Sequence, residues 1–147
     1  MNVKQFFKEY IMPPGFTRLY QGIHEKIVSR EFGATSEDYD GEKYWSKRHR
    51  KYGSKSLLGA GHQGLTEFEN ISIYKGAEII FTSMINDLDL NKNAEVAEFG
   101  FGTGFYTNLM TRLGYKNYVG FDITDVLVAD IERNIEGFLG TLEKFDV

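Results

Sequence analysis

Three glycines at alternate positions, Gly100, Gly102 and Gly104, constrain this chain more than any other feature, because they stand between an apolar segment and an amphipathic one. Residues 94–124 read AEVAEFGFGTGFYTNLMTRLGYKNYVGFDIT. Ala94, Val96 and Phe99 mark a strand, and Leu109, Met110 and Leu113 share one side of a helix. Gly114 sits where a left-handed C-cap is needed, and Tyr118, Val119 and Phe121 mark a second strand that ends in Asp122. Strand, loop, helix, strand is the order of a βαβ unit.

Glycine at every second position lets the chain turn sharply off a strand tip, admit a ligand against its backbone and enter a helix. The first N–H groups of that helix, at its positive dipole end, suit a polar or anionic part of a ligand. Asp122 closes the second strand at the same edge of the sheet, where a carboxylate can accept hydrogen bonds from both hydroxyls of a ribose. A glycine triplet alone would equally serve a structural turn or another nucleotide. A dinucleotide site wants Gly-x-Gly-x-x-Gly, whose last glycine would fall on Phe105, and Glu98 would then face a pyrophosphate.

At these residues the chain resembles the class I S-adenosylmethionine-dependent methyltransferases. Glu98-Phe99-Gly100-Phe101-Gly102-Thr103-Gly104 is similar to their first motif, acid-x-Gly-x-Gly-x-Gly, and Val119-Gly120-Phe121-Asp122-Ile123 to their second. The resemblance implies an α/β, Rossmann-like doubly wound sheet, S-adenosyl-L-methionine as cofactor, and methyl transfer to an O, N or C acceptor, more in keeping with a small molecule. It implies that Glu98 helps hold the glycine loop and the methionine amino group. Gly100, Phe101, Gly102, Thr103 and Gly104 would form the loop that admits the methionine part, Asp122 would bind the ribose, and Ile123 would pack on the adenine. It covers roughly the last third of the chain. The family's adenine-contacting acid and most of its substrate-binding residues follow the third strand, so none is carried over. No side chain is named catalytic, because an acceptor that is already nucleophilic needs little acid or base help.

At 147 residues, 41% of them hydrophobic, length predicts one domain with a real core. A net charge of −4 gives no general pull toward nucleic acid or anionic membranes. The absence of cysteine excludes disulfides, thiolate zinc sites and cysteine nucleophiles. With no signal-peptide core and no apolar run near ~20 residues, the expectation is a cytoplasmic protein without a membrane span or a metal.

In chain order, a short helix is expected over 3–11 and a second over 17–32, the latter carrying His24 as a surface or packing histidine. The stretch from Gly41 to Gly53 mixes aromatics with bases. It reads as an amphipathic helix burying Tyr44, Trp45 and Tyr52 with its charges facing water, in preference to a nucleic-acid surface. The methyltransferase resemblance adds a third role, since many members carry a Tyr-Trp pair in helices that fold over the cofactor; Tyr44 and Trp45 are the candidates for such a cover. Residues 53–64 hold four glycines, Gly53, Gly59, Gly61 and Gly64, and read as a mobile connection, His62 included.

Thr66 and Glu69 have capping-box spacing, which predicts a long helix to about Leu88 with Ile73, Ala77, Ile80, Phe81, Met84 and Leu88 against the sheet. Beyond Asp122, Thr124 is placed to cap a helix that turns Leu127, Ile131, Ile135 and Phe138 inward and closes near Gly137 to Gly140. A third strand is expected to begin near Leu142. The expected organisation is a helical or lid region over 1–66 and the N-terminal half of a cofactor-binding domain over 67–147. Half of a doubly wound sheet leaves its first strand as an apolar edge, open to self-association. The preferred explanation is a fragment of a longer enzyme; a partner strand or cover from the N-terminal region are the others. A non-catalytic cofactor- or partner-binding module and a dinucleotide-binding oxidoreductase fragment are the alternative functions.

Overall fold

A computed structural model describes residues 39–145. The helices expected over 3–11 and 17–32 lie outside them, as does His24. Within them the chain builds helix α1 (Gly41–Tyr52), a short 3-10 turn (Leu57–Gly59), helix α2 (Glu67–Asp87), strand β1 (Val96–Phe99) and helix α3 (Phe105–Arg112). Strand β2 (Tyr118–Asp122), helix α4 (Val128–Asn134) and strand β3 (Thr141–Lys144) follow. The result is an α/β fold on a three-stranded sheet in the order β1-β2-β3.

Both strand pairings are parallel, with Phe99 opposite Phe121 in one and Phe121 opposite Glu143 in the other. Parallel neighbours require a crossover, and α3 and α4 supply the two. Their apolar sides share one core: Met110 from α3 and Ile131 from α4 meet Tyr118, Leu142 and Phe101. Leu127 is buried in the same cluster, with Ile135 and Phe138 packed against it, as the helical spacing predicts. The opposite side of the sheet bears Phe99 and Phe121. Phe99 is 72% exposed, and its ring stacks on Phe121 at a centroid distance of 5.4 Å.

Each helix has a legible start or stop. Asp40 caps α1 by accepting from the Lys43 N–H at 2.9 Å, and Gly53, at φ 68°, ends it. Thr66 and Glu69 form the expected capping box on α2. Gly114, at φ 87°, follows α3 in the left-handed conformation. Thr124 is a correction: its hydroxyl accepts from the Val126 N–H in a turn ahead of α4, and the N-cap of α4 is Leu127, with no side-chain cap bond.

Two further expectations are corrected by packing. The inward side of α2 is the one bearing Asn70, Phe81 and Ile85, whereas Ile73, Ile80, Met84 and Leu88 are exposed. This helix is apolar on more than one side, so periodicity identifies it without choosing its buried face. On α1 the charges do not all face water: Arg48 and His49 are buried alongside Tyr44, while Trp45 and Tyr52 are partly buried.

The loop over 53–64 is held from both sides. Arg48 donates to the Leu58 carbonyl at 2.9 Å through Nε and to the Gly61 carbonyl at 2.5 Å through Nη2. Asn70, fully buried on α2, accepts from the His62 N–H at 2.7 Å and donates to the carbonyls of His62 and Thr66. A composition that reads as mobile is thus fixed by side chains on the flanking helices. Helix α1 reaches the sheet through a Ser46–Thr124 hydroxyl pair at 3.0 Å and a Lys144–Glu42 ion pair at 2.9 Å, so it lies over the C-terminal ends of β2 and β3. No helix among the described residues is long and apolar enough to cross a membrane.

The packing predicts unequal costs for two isoleucines. Ile131→Ala removes a side chain that is 1% exposed and is expected to lower the unfolding free energy by about 2–5 kcal/mol. Ile80→Ala, at a residue that is 65% exposed, is expected to change it by no more than ~0.5 kcal/mol. Urea denaturation of both variants measures the difference, and equal costs would refute the assignment of the inner face.

Candidate functional site

The C-terminal ends of the strands open into a cleft of about 550 Å³. Its floor is the glycine loop between β1 and α3. The loop continues the β1–β2 ladder for one more step, the Gly100 N–H donating to the Phe121 carbonyl at 2.6 Å. Gly100, Gly102 and Gly104 all have positive φ, the region that side chains disfavour. At Gly100 the requirement joins an open approach, because a Cβ there would meet nothing within 4 Å. At Gly104 the constraint is packing: a Cβ would stand 2.9 Å from Cγ2 of Ile131.

Asp122 organises this floor. One carboxylate oxygen accepts from the Gly102 N–H at 2.8 Å and the other from the Thr124 N–H at 3.2 Å. Each oxygen keeps a further lone pair for a ligand. Glu98 lines the cleft beside it, but its partners are not loop amides. Its Oε2 accepts from Thr107 on α3 at 3.1 Å and from the Tyr118 hydroxyl; the two hydroxyl oxygens stand 3.0 Å apart, with their protons directed to the carboxylate. Burial raises the pKa of Glu98, the bonds from Tyr118 and Thr107 oppose the rise, and the Asp122 charge adds to it. Burial, reinforced by Glu98, raises the pKa of Tyr118 as well, so its phenol stays protonated as the donor.

Of the residues singled out in the sequence, Glu98, Gly100, Phe101, Gly102, Thr103, Asp122, Ile123 and Trp45 line the cleft. Gly104 and Tyr44 do not. Gly104 borders a smaller hollow with Ile131 and Asn134, and Tyr44 is buried, its hydroxyl accepting from Arg48 at 3.1 Å. Aromatic rings complete the walls, Tyr74 from α2, Phe105 and Tyr106 from α3, and Phe121 with Phe145 from the sheet. Tyr74 and Phe105 meet edge to face at 4.9 Å.

Sequence reasoning missed the aromatic lining residues Tyr74, Phe105, Tyr106 and Phe145, and it missed His49. It sits in a run of bases, and only the turn of α1 brings it against Trp45, ring centroids 5.7 Å apart, and within the field of Asp122. It is 1% exposed, and neither ring nitrogen has a hydrogen-bond partner among the described residues. Each orphaned buried group costs about 1–3 kcal/mol. Burial lowers its pKa, with Asp122 opposing and Arg48 assisting, so the ring is neutral at pH 7.

Among the described residues the lining contains two carboxylates and neither lysine nor arginine. Among the described residues no group of histidine, aspartate and glutamate could hold a metal ion. The chain matches no family model, no curated protein and no solved structure.

The raised pKa of Glu98 has a definite sign. A carboxyl whose folded pKa lies above its unfolded value favours folding most when protonated, and that contribution disappears as pH rises through the folded pKa. Relative to Glu98→Gln, which carries no titrating charge, wild type is therefore expected to lose thermal stability as pH climbs from about 4 toward neutrality. Melting temperatures of both proteins across that range measure it, and a pH-independent gap would refute the buried-carboxylate account.

Proposed function

We propose that this chain binds S-adenosyl-L-methionine and supports transfer of its methyl group to a small-molecule O, N or C acceptor, on a Rossmann-like sheet of which β1 to β3 form one half. What carries the assignment is the pairing of an open glycine loop with a cleft whose only formal charges, among the described residues, are carboxylates. A dinucleotide would bring an anionic pyrophosphate against Glu98 and Asp122 with no base to meet it. S-adenosyl-L-methionine brings a sulfonium and an ammonium, which that field attracts.

The residues fit the group. Gly100 leaves a backbone that a ligand can touch, and Asp122 has lone pairs free for the ribose hydroxyls. Phe121, Ile123 and Phe145 offer an apolar wall for the adenine. Glu98 has Oε1 without a hydrogen bond among the described residues, an acceptor for the amino group. Helix α3 starts at Gly104 with no side-chain cap, so its first N–H groups are left for the carboxylate end. The bound cofactor would supply an electrophilic methyl on sulfur. Trp45, Tyr74 and Tyr106 would exclude water and set the acceptor in line, while their ring faces favour the positive charge. No side chain is assigned as acid or base.

A second reading, a non-catalytic module that binds the cofactor or a partner, draws on two observations. The outer edge of β1 pairs with no strand among the described residues, and α2 leaves Ile73, Ile80 and Met84 exposed. Pairing of that edge with a further strand or with a second copy belongs to either reading.

Calorimetric titration of the purified chain with S-adenosylhomocysteine, in parallel with NADH, is expected to show binding of the first alone. Asp122→Asn, with folding checked by circular dichroism, is expected to weaken it by roughly ten- to a hundredfold through loss of a charge-assisted bond. Preference for NADH, or unchanged affinity in the variant, would overturn the assignment.

A further inference from the structure

Most of the buried polar side chains around the cleft have a hydrogen-bond partner. Ser46 pairs with Thr124, Arg48 with two carbonyls and Tyr44, Asn70 with the loop, and Thr107 with Glu98. His49 differs in having polar atoms that are fully buried yet unpaired: it is 1% exposed, forms part of the cleft wall, and neither Nδ1 nor Nε2 has a hydrogen-bond partner among the described residues. A fully buried, orphaned imidazole in the wall of a cleft points to a partner that arrives with the ligand.

The chemistry of that partner follows from the donor and acceptor inventory. Asp122 carries only acceptors, and each of its oxygens already takes one backbone N–H. It can accept the protons of a vicinal diol, but it cannot serve the diol's own oxygen lone pairs. Among the described residues the lining has no lysine or arginine to do so. A neutral imidazole has one N–H donor and one acceptor, which complements a hydroxyl whose proton goes to Asp122. The charged groups acting on His49 are Asp122 on β2 and Arg48 on its own helix.

We propose that His49 is a ligand-binding residue of the cleft, donating its ring N–H to a ribose hydroxyl of the same diol whose protons Asp122 accepts. The assignment rests on the adenosyl ligand proposed above and adds a residue to its ribose subsite. It makes α1 a direct participant in binding, and Trp45, packed on the imidazole, a support for its orientation.

Titration of the full chain with S-adenosylhomocysteine and with its 2′-deoxy and 3′-deoxy analogues tests this. His49→Phe keeps a ring against Trp45 and is expected to bind S-adenosylhomocysteine about three- to tenfold more weakly than wild type, with His49→Gln, which retains a donor, recovering part of the loss. One of the two hydroxyls is expected to cost less to remove in the His49→Phe complex than in wild type. Equal costs for both hydroxyls, or unchanged affinity in His49→Phe while wild type binds, would overturn the role of His49 and leave the cofactor assignment standing. Failure of wild type to bind S-adenosylhomocysteine would overturn the cofactor assignment and this one with it. Should the variants not fold, ring ¹⁵N resonances of wild type decide, assigned among the three histidines with His24→Gln and His62→Gln. A His49 ring shift at saturation is expected, and an unmoved resonance would overturn the proposal.

Discussion

The carboxylate of Asp122 is the point on which the rest of the site depends. It stands at the tip of β2 and ties together two backbone segments that no ladder reaches, the glycine loop at Gly102 and the turn at Thr124. Because the strands are parallel, β1 and β2 end at the same edge, so one short side chain can bridge from one to the loop that leaves the other. Thr124 then passes the constraint upward, since its hydroxyl accepts from Ser46 on α1. Loop, strand and overlying helix are therefore positioned by a single chain of hydrogen bonds, most of it buried.

A second set of buried polar groups fixes what lies above the loop. Arg48 is 3% exposed and has no carboxylate partner among the described residues. Its guanidinium is instead spent on carbonyls of the glycine-containing loop and on Tyr44, with Trp45 beneath it at 5.2 Å. Bonds from a charged donor to carbonyls are stronger than neutral ones, which offsets part of the cost of burying the charge. Asn70 does the same from the side of α2 without a charge. Neither residue touches the cleft, yet both hold the segment that carries Ala60 against Gly102, where an added Cβ would stand 3.0 Å from that methyl group.

Local patterns were legible where one physical demand dominated. Asp122 ends β2 as read, because strand alternation and the carboxylate at its tip agree; the capping box begins α2, and Gly114 closes α3. Faces were less legible. Helix α2 offers apolar residues on several sides, and only the position of the sheet decides that Phe81 and Ile85 turn inward while Ile80 does not. Thr124 has the residue type of a helix cap but is claimed by the strand-to-helix turn and by Ser46. His49 and Arg48 were hidden for a related reason: in a basic run, burial depends on contacts with residues far along the chain, which local spacing does not encode.

The electrostatics of the cleft join these parts. Burial disfavours the ionised form of Glu98, and the charge of Asp122 adds to that effect. The hydroxyls of Thr107 and Tyr118 pull the other way, stabilising the carboxylate without adding a positive charge. The nearest buried cation, Arg48, is saturated by carbonyls and lies outside the lining. Among the described residues, the fold therefore sets two carboxylates in the wall of one cleft and places no lysine or arginine beside them there. A ligand that brings positive charge relieves such a field and an anionic one adds to it, which is the physical ground on which the proposed cofactor is preferred to a dinucleotide.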